Sequence, residues 1–219
     1  MGNRQKIDAM LQTIEAECWY TKGSTGRSSL QPEVMAAMRS VSRQDFVPST
    51  MTSMAYENSP LPIGNGQTIS QPFIVALMTD LLGPKKEDVI LEVGAGSGYQ
   101  AAILSRLVKW VYTIEIIPAL AKGATEVLQR RGYENVEVRQ GDGYNGWPEH
   151  APFDGIIVTA AASHVPPPLQ EQLKPGGRIV IPLGPPYMFQ ELLVLEKDEN
   201  GAFATRNVLP VSFVPLTRK

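Results

Sequence analysis

The sequence predicts an α/β domain: a doubly wound, mostly parallel sheet with helices on both faces, preceded by an N-terminal helical lobe and closed by a C-terminal β-hairpin. Three observations carry that prediction. Val89–Val93 is an apolar run too short for a typical helix; it enters a turn with glycines at 94, 96 and 98, and Ala101, Ala102, Ile103, Leu104 and Leu107 then recur at helical spacing. Strand, glycine turn and helix form the opening of a Rossmann-like unit. From Asp88 onward, short apolar runs alternate with helical patterns, as expected for a parallel sheet covered on both sides. Near the end, Asp198-Glu199-Asn200-Gly201 separates two strand-like runs, and Asn-Gly is a strong hairpin signal.

The elements follow in chain order. Residues 5–20 read as an amphipathic helix with Ile7, Leu11, Ile14 and Cys18 on its apolar stripe, and 21–29 as a Gly/Ser/Thr-rich loop. Pro32 suits the first turn of a second helix, which carries Val34, Met35 and Met38 on one face. Residues 49–66 read as irregular, and a third helix opens at Gln71-Pro72 with Ile74, Val75, Met78, Leu81 and Leu82 as its apolar face. Core strands are expected at Val89–Val93, Val111–Glu115, Val136–Arg139, Gly155–Thr159 and Arg178–Pro182. Glu191–Glu196 and a segment within Phe203–Phe213 supply the hairpin. No repeat or low-complexity linker divides the chain, so one domain is expected over 1–219: a helical lobe over 1–82 that includes a loop at 58–72, and an α/β core over 83–219.

Composition limits the function classes. A chain of 219 residues suffices for one α/β domain with a proper core. The net charge of −2 and the lack of a Lys/Arg run give no footprint for nucleic acid, so no nucleic-acid partner is expected. The apolar stretches fall far short of the ~20 residues a bilayer span requires, so no membrane partner is expected either. Asp8, Gln12, Glu15 and Glu17 interrupt the N-terminus where a secretory signal would be apolar. One cysteine, Cys18, fits a reducing, cytoplasmic setting, and its place on a helix stripe suits packing better than reactivity. With only His150 and His164, no metal site is expected.

Three elements carry candidate chemistry. Glycines at 94, 96 and 98 permit positive φ and close approach of a ligand, while the helix beyond offers unpaired N–H groups. Glu115 ends the second strand, where a carboxylate can accept from both hydroxyls of a ribose. Asp142, in Gly141-Asp142-Gly143, follows the third strand at the sheet edge where ligands gather. Together they point to a nucleoside cofactor. Glu115 alone suits a nicotinamide cofactor equally, and Asp142-Gly143 alone reads as an ordinary turn. The spacing differs from the dinucleotide fingerprint, because the third glycine comes one position early and Tyr99 stands where glycine is required.

Glu92-x-Gly94-x-Gly96-x-Gly98 resembles motif I of the class I S-adenosylmethionine-dependent methyltransferases. The loop Leu61-Pro62-Ile63-Gly64-Asn65-Gly66-Gln67-Thr68-Ile69-Ser70-Gln71-Pro72 closely resembles the signature of the protein-L-isoaspartate (D-aspartate) O-methyltransferase family. Arg43-Gln44-Asp45-Phe46-Val47-Pro48, Ala151-Pro152-Phe153-Asp154, Val158-Thr159-Ala160-Ala161-Ala162, Leu173-Lys174-Pro175-Gly176-Gly177-Arg178 and Phe213-Val214-Pro215-Leu216 extend the likeness over roughly 30–217. The resemblance implies S-adenosyl-L-methionine as cofactor, S-adenosyl-L-homocysteine as product, and isoaspartyl peptides and proteins as substrates, for a repair enzyme; a monomer is expected. It puts Ser70 on the active-site serine, and Glu92, Gly94, Ala95, Gly96 and Gly98 on the motif under the cofactor. Glu115 falls on the ribose ligand and Asp142-Gly143 on the adenine contact. Thr68, Ile69, Thr159, Ala160 and Val214 fall along the peptide channel.

Two positions depart from the family pattern. Ser212 stands where relatives often have arginine, and Ser163-His164 where a proline commonly follows the alanines. From the residues alone, Ser70 also reads as a helix N-cap, and His164 as either a solvated loop histidine or a base. Three rival readings remain at this stage: a methyltransferase for another acceptor, a nicotinamide-dependent oxidoreductase, and a binding protein that has lost turnover.

Overall fold

The computed structural model describes residues 2–185 and 188–218; the predicted domain bounds at 1 and 219 lie outside them. The N-terminal part holds α1 (Asn3–Thr25), α2 (Pro32–Ser40), 3-10 turns over Arg43–Phe46 and Ser49–Met54, a hairpin of β1 (Leu61–Gly64) and β2 (Gln67–Ile69), and α3 (Pro72–Leu82). The core follows as β3 (Val89–Val93), α4 (Tyr99–Ser105), β4 (Trp110–Glu115), α5 (Pro118–Arg130), β5 (Val136–Gln140) and β6 (Phe153–Val158). It ends with α6 (Pro167–Glu171), β7 (Leu173–Leu183), β8 (Gln190–Lys197) and β9 (Phe203–Val211). No described helix is long and apolar enough to cross a membrane.

The main sheet has seven strands in the order β5-β4-β3-β6-β7-β8-β9. Strands β3 to β7 pair in parallel, and β8 and β9 add antiparallel. From β3 the chain winds outward through β4 to β5, then returns to β6 on the other side of β3. The switch point between β3 and β6 opens a crevice at the carboxyl ends of these strands.

Strand alternation assigns each side chain to a face. Ile90, Ile157 and Val180 join a large apolar cluster with α1 to α5, while Leu91, Val93, Ile156, Val158, Ile179 and Ile181 join a second cluster on the opposite face. That second face is covered by α6 and by Trp147 and Phe153 rather than by long helices.

Most sequence-predicted elements appear within one to three residues of their expected ends; three differ. The first helix runs on to Thr25 through the expected loop, because Thr21 and Thr25 bond back to the carbonyls of Glu17 and Thr21 and so tolerate the helix. It stops at Gly26, whose φ of 68° and N–H to Lys22 O form a left-handed cap. The segment expected to be irregular, 49–66, contains β1 and the turn of the β1–β2 hairpin. Its turn is Asn65-Gly66, with φ of 53° and 72°, the geometry that makes Asn-Gly a hairpin signal. Strand β7 begins five residues before its expected start, where Leu173 pairs with Phe153 ahead of a register shift.

Within the N-terminal lobe, Asp80 ties α3 to the connection between α1 and α2. It is 1% exposed on α3, and it accepts from Arg27 Nε and from the Gln31 N–H, both at 2.7 Å. Asp80→Ala removes the acceptor for both donors and is expected to cost about 2–3 kcal/mol, the range for hydrogen bonds to a charged group. Urea unfolding should show this as a lower midpoint; an unchanged midpoint would mean that the α1–α2 connection is held on α3 by apolar contact alone.

Candidate functional site

The site is built where β3 and β6 end. The Thr159 N–H donates to Val93 O at 2.9 Å, and its hydroxyl reaches Val93 O at 3.2 Å and Gly94 O at 2.6 Å. A Cβ on Gly94 would stand 2.5 Å from Thr159 Oγ1, and φ at Gly94 is 98°; only glycine lets the two strand ends close in this way. Gly98 serves a different purpose. With φ of 87° it caps α4, and any side chain there would press on Leu128 of α5 at 3.2 Å. It therefore sets helix packing and does not line the cleft.

Two carboxyl groups share the floor in contrasting states. Glu115 is 6% exposed; its Oε2 accepts from the Gly96 N–H at 2.8 Å and its Oε1 from the Ile117 N–H at 2.9 Å. Each oxygen keeps a second lone pair for a ligand hydroxyl. Glu92 is fully buried and neither of its oxygens has a hydrogen-bond partner. Burial pushes its carboxyl up to about 8; the charge of Glu115 adds to this, and the neighbouring Thr113 hydroxyl opposes it. A buried, unpartnered carboxyl on a cleft wall is a place for a cation.

Above the floor sits the β1–β2 hairpin, with Ile63 Cδ1 within 3.5 Å of a Cβ built on Gly96. Ser70 follows β2 directly. The N-cap reading of Ser70 does not hold: the N-cap of α3 is Gln71, and the first-turn N–H of Phe73 is taken at 3.0 Å by Asn58 Oδ1, from the preceding loop. The Ser70 side chain is thereby left to the cleft, which it helps to line.

A C-terminal strap forms the remaining wall. Ala161 N–H donates to Val214 O at 2.8 Å and Leu216 N–H to Ala161 O at 2.7 Å, which lays Val214–Thr217 along the opening. The strap ends with Arg218, which lies 3.7 Å over the Tyr144 ring and 3.6 Å from Asp142 Oδ2. Asp142 itself caps the Tyr144 N–H at 3.0 Å. His164 bonds Tyr144 and Ser163 at the exposed rim, away from the cleft wall.

These elements converge on one cleft at the carboxyl ends of β3 and β6. Of the sequence-predicted residues, Ser70, Glu92, Gly94, Ala95, Gly96, Glu115, Gly143, Thr68, Ile69, Thr159, Ala160 and Val214 line it together. Gly98 and Asp142 do not, for the packing and capping reasons given. Sequence reading missed Tyr99 and Gln100 as cleft residues. Tyr99 is 1% exposed, with Phe46 at 5.6 Å and the Arg43 guanidinium at 5.0 Å from its ring, and Gln100 donates to Thr79 Oγ1 at 2.9 Å. Both positions were visible only as the first turn of a helix. Pro215 and Leu216 were visible only as part of the family-like block Phe213–Leu216, and Thr217 not at all.

A parallel sheet with its switch point under a glycine turn, and an acidic residue ending the neighbouring strand, define a class I methyltransferase domain. The family model for Protein-L-isoaspartate(D-aspartate) O-methyltransferase (PCMT) matches residues 22–219, and the chain belongs to that family. It is 60% identical over 208 residues to protein-L-isoaspartate O-methyltransferase 2 of Syntrophobacter fumaroxidans, covering 95% of this chain and 84% of the relative. It is 56% identical to protein-L-isoaspartate O-methyltransferase 2 of a Polaromonas species, covering 95% of this chain and 99% of the relative. A solved protein-L-isoaspartate O-methyltransferase superposes with a TM-score of 0.83 at 28% identity, covering 96% of this chain and 66% of that one. A Plasmodium falciparum structure in complex with S-adenosyl-L-homocysteine shares the fold over 100% of both chains, at 23% identity and a TM-score of 0.80.

The state of Glu92 gives a pH test. Its native carboxyl titrates near 8 against an ordinary 4.5, so between those values the native state holds a proton that the unfolded chain has lost. Stability from this group is full below about pH 4.5 and falls as pH rises through about 8. Glutamine cannot ionise, so Glu92→Gln should gain on the wild type between pH 5 and 9, by on the order of 4 kcal/mol. Urea midpoints of both proteins at the two pH values measure this; parallel pH curves would show that Glu92 is already ionised.

Proposed function

We propose that this chain is a repair enzyme that transfers a methyl group from S-adenosylmethionine to the α-carboxylate of L-isoaspartyl residues in damaged peptides and proteins. One observation carries the reading: the cofactor-type cleft opens into a second groove, and Thr68, Ser70, Thr159 and Val214 belong to both. A methyl donor and a peptide acceptor can therefore meet beside Ser70.

The cleft fits the cofactor. The orphaned oxygens of Glu92 suit its cationic methionyl end, and the half-coordinated carboxylate of Glu115 suits the ribose hydroxyls. Gly94, Ala95 and Gly96 let the main chain pass close beneath it. Gly143 takes the adenine side, with Asp142 held next to it through Tyr144 and Arg218. When bound, S-adenosylmethionine supplies a methyl group on a sulfonium, with a neutral thioether as leaving group.

The remaining work falls to the chain. An isoaspartyl carboxylate is ionised at neutral pH and needs no general base. Ser70 donates a hydrogen bond to it and directs one oxygen toward the methyl group. Thr68, Ile69, Thr159, Ala160 and Val214 hold the flanking peptide, while Val75, Met78 and Leu216 exclude water. Among the described residues no lysine or arginine lines either cavity, so the carboxylate is held by hydroxyl and N–H donors rather than by a full positive charge. A weaker hold avoids burying the ground state in a well that the transition state does not share. Alignment supplies the rate, since effective molarities of ~10⁵–10⁸ M are available from good geometry. The methyl ester then closes to a succinimide without the enzyme as the backbone amide nitrogen attacks the ester carbonyl and methanol leaves, and hydrolysis returns part of it to aspartate.

On this reading residues 1–82 form the acceptor-side lobe and 83–219 the cofactor-side core of a single domain. We read the protein as a cytoplasmic monomer without nucleic-acid or membrane partners, on its single cysteine and its net charge of −2.

Labelled S-adenosylmethionine offered with two peptides that differ only in an L-isoaspartyl or L-aspartyl linkage should label the isoaspartyl peptide alone. Label in neither peptide, with the cofactor still bound, would overturn the acceptor assignment. Ser70→Ala should lower kcat by about one to two orders of magnitude, matching a lost hydrogen bond to a charged group, with cofactor affinity nearly unchanged. Glu115→Ala should do the reverse in a calorimetric titration and raise the cofactor Kd about tenfold or more. Equal losses of cofactor binding in both variants would assign Ser70 to the scaffold.

A further inference from the structure

We propose that Glu17 makes the acceptor groove selective for basic residues flanking the isoaspartyl site. The inference rests on the functional reading above, since it states which peptides that same site prefers. The groove continues from the cofactor cleft past Ser70. One wall is the first turn of α3, with Phe73 and Ile74; the other runs from Leu209 at the end of β9 through Phe213. The mouth is closed by α1, which presents Glu17 and Thr21 one turn apart.

Two features make this a recognition surface rather than a surface furrow. The first is rigidity. Gln190, 1% exposed, accepts from the Phe213 N–H at 2.6 Å and donates to Phe213 O at 3.0 Å, fixing the far wall in an extended form. The near wall belongs to α3, whose first turn Asn58 caps. The second feature is charge. Glu17 is the one charged side chain on the lining, and among the described residues it forms no ion pair. Thr21 Oγ1 donates to the main-chain carbonyl of Glu17, not to its carboxylate, so the negative charge stands without a local partner.

A half-buried carboxylate between apolar walls feels less solvent screening than one on an open surface. It attracts a lysine or arginine carried past it by the substrate and repels an aspartate or glutamate. Partly exposed ion pairs of this kind change binding by about two- to fivefold. The preference acts as the peptide binds and before methyl transfer at Ser70, so it belongs to KM.

The test uses the whole protein and a set of peptides with a central isoaspartyl residue and lysine, alanine or glutamate placed in turn at each position within three residues of it. At low ionic strength, kcat/KM at one or more of these positions should favour lysine over glutamate by about two- to fivefold, through KM and with kcat alike. Added salt should shrink the ratio. In Glu17→Gln the ratio should fall to about one, and in Glu17→Lys it should invert. A lysine-to-glutamate ratio near one in the wild type, or one that Glu17→Lys leaves in place, would overturn the proposal. Because each variant is judged by a ratio, a general loss of activity cannot mimic either result. Failure of the alanine peptide to be methylated at all would instead overturn the functional reading, and this inference with it.

Discussion

The approach of β3 to β6 at the switch point is the contact on which the site depends. Thr159 reaches across the strand ends to the carbonyls of Val93 and Gly94, and a single added methyl group at Gly94 would collide with its hydroxyl. Because the strands meet there, the turn through Gly96 passes under the cleft and brings its N–H to Glu115. The same closure puts Thr159 and Ala160 on the cleft wall, where the acceptor groove begins. Sheet topology supplies the crevice, and this clasp gives the crevice its shape.

The electrostatics of the site run on carboxyl groups rather than cations. Glu115 accepts from two backbone N–H donors, whereas Glu92 has no such donor and burial raises its carboxyl to about 8. The buried guanidinium of Arg43 lies behind the cleft wall, over Tyr99 and within 3.4 Å of Ser59 O. It does not line either cavity. Its part is to join the turn before the acceptor loop to the first residue of α4, with Phe46 packed on the same ring.

The acceptor side is assembled from distant parts of the chain. The β1–β2 hairpin, the first turn of α3, the end of β9 and the strap through Val214 converge within one opening. Each is held by a polar contact that frees a neighbouring group: Asn58 caps α3 so that Ser70 faces the cleft, and Gln190 holds Phe213 so that Val214 can reach Ala161. Arg218 fastens the end of the strap over Tyr144 and beside Asp142. Asp142 is thus a fixed neighbour of the cleft rather than part of its wall.

The sequence by itself determined the parallel core, because strand period, glycine spacing and helix-opening prolines are local properties that burial in a sheet preserves. It also determined Glu92, Glu115 and Ser70 as the residues to watch, since motif and position along a strand or loop are visible in one dimension. The β1–β2 hairpin was not read from the sequence: Asn65-Gly66 signals its turn, but its strands are only four and three residues long and lack an alternating pattern. Tertiary structure alone decided which residues would share a wall. Gly98 turned toward α5 and Asp142 toward Tyr144 because helix packing and local capping are settled by neighbours far away in sequence. Tyr99, Gln100 and the Glu17 mouth carry no motif, and Pro215-Leu216 shows only as part of a family-like block; they became parts of a site only when elements more than a hundred residues apart were brought together by the burial of a common core.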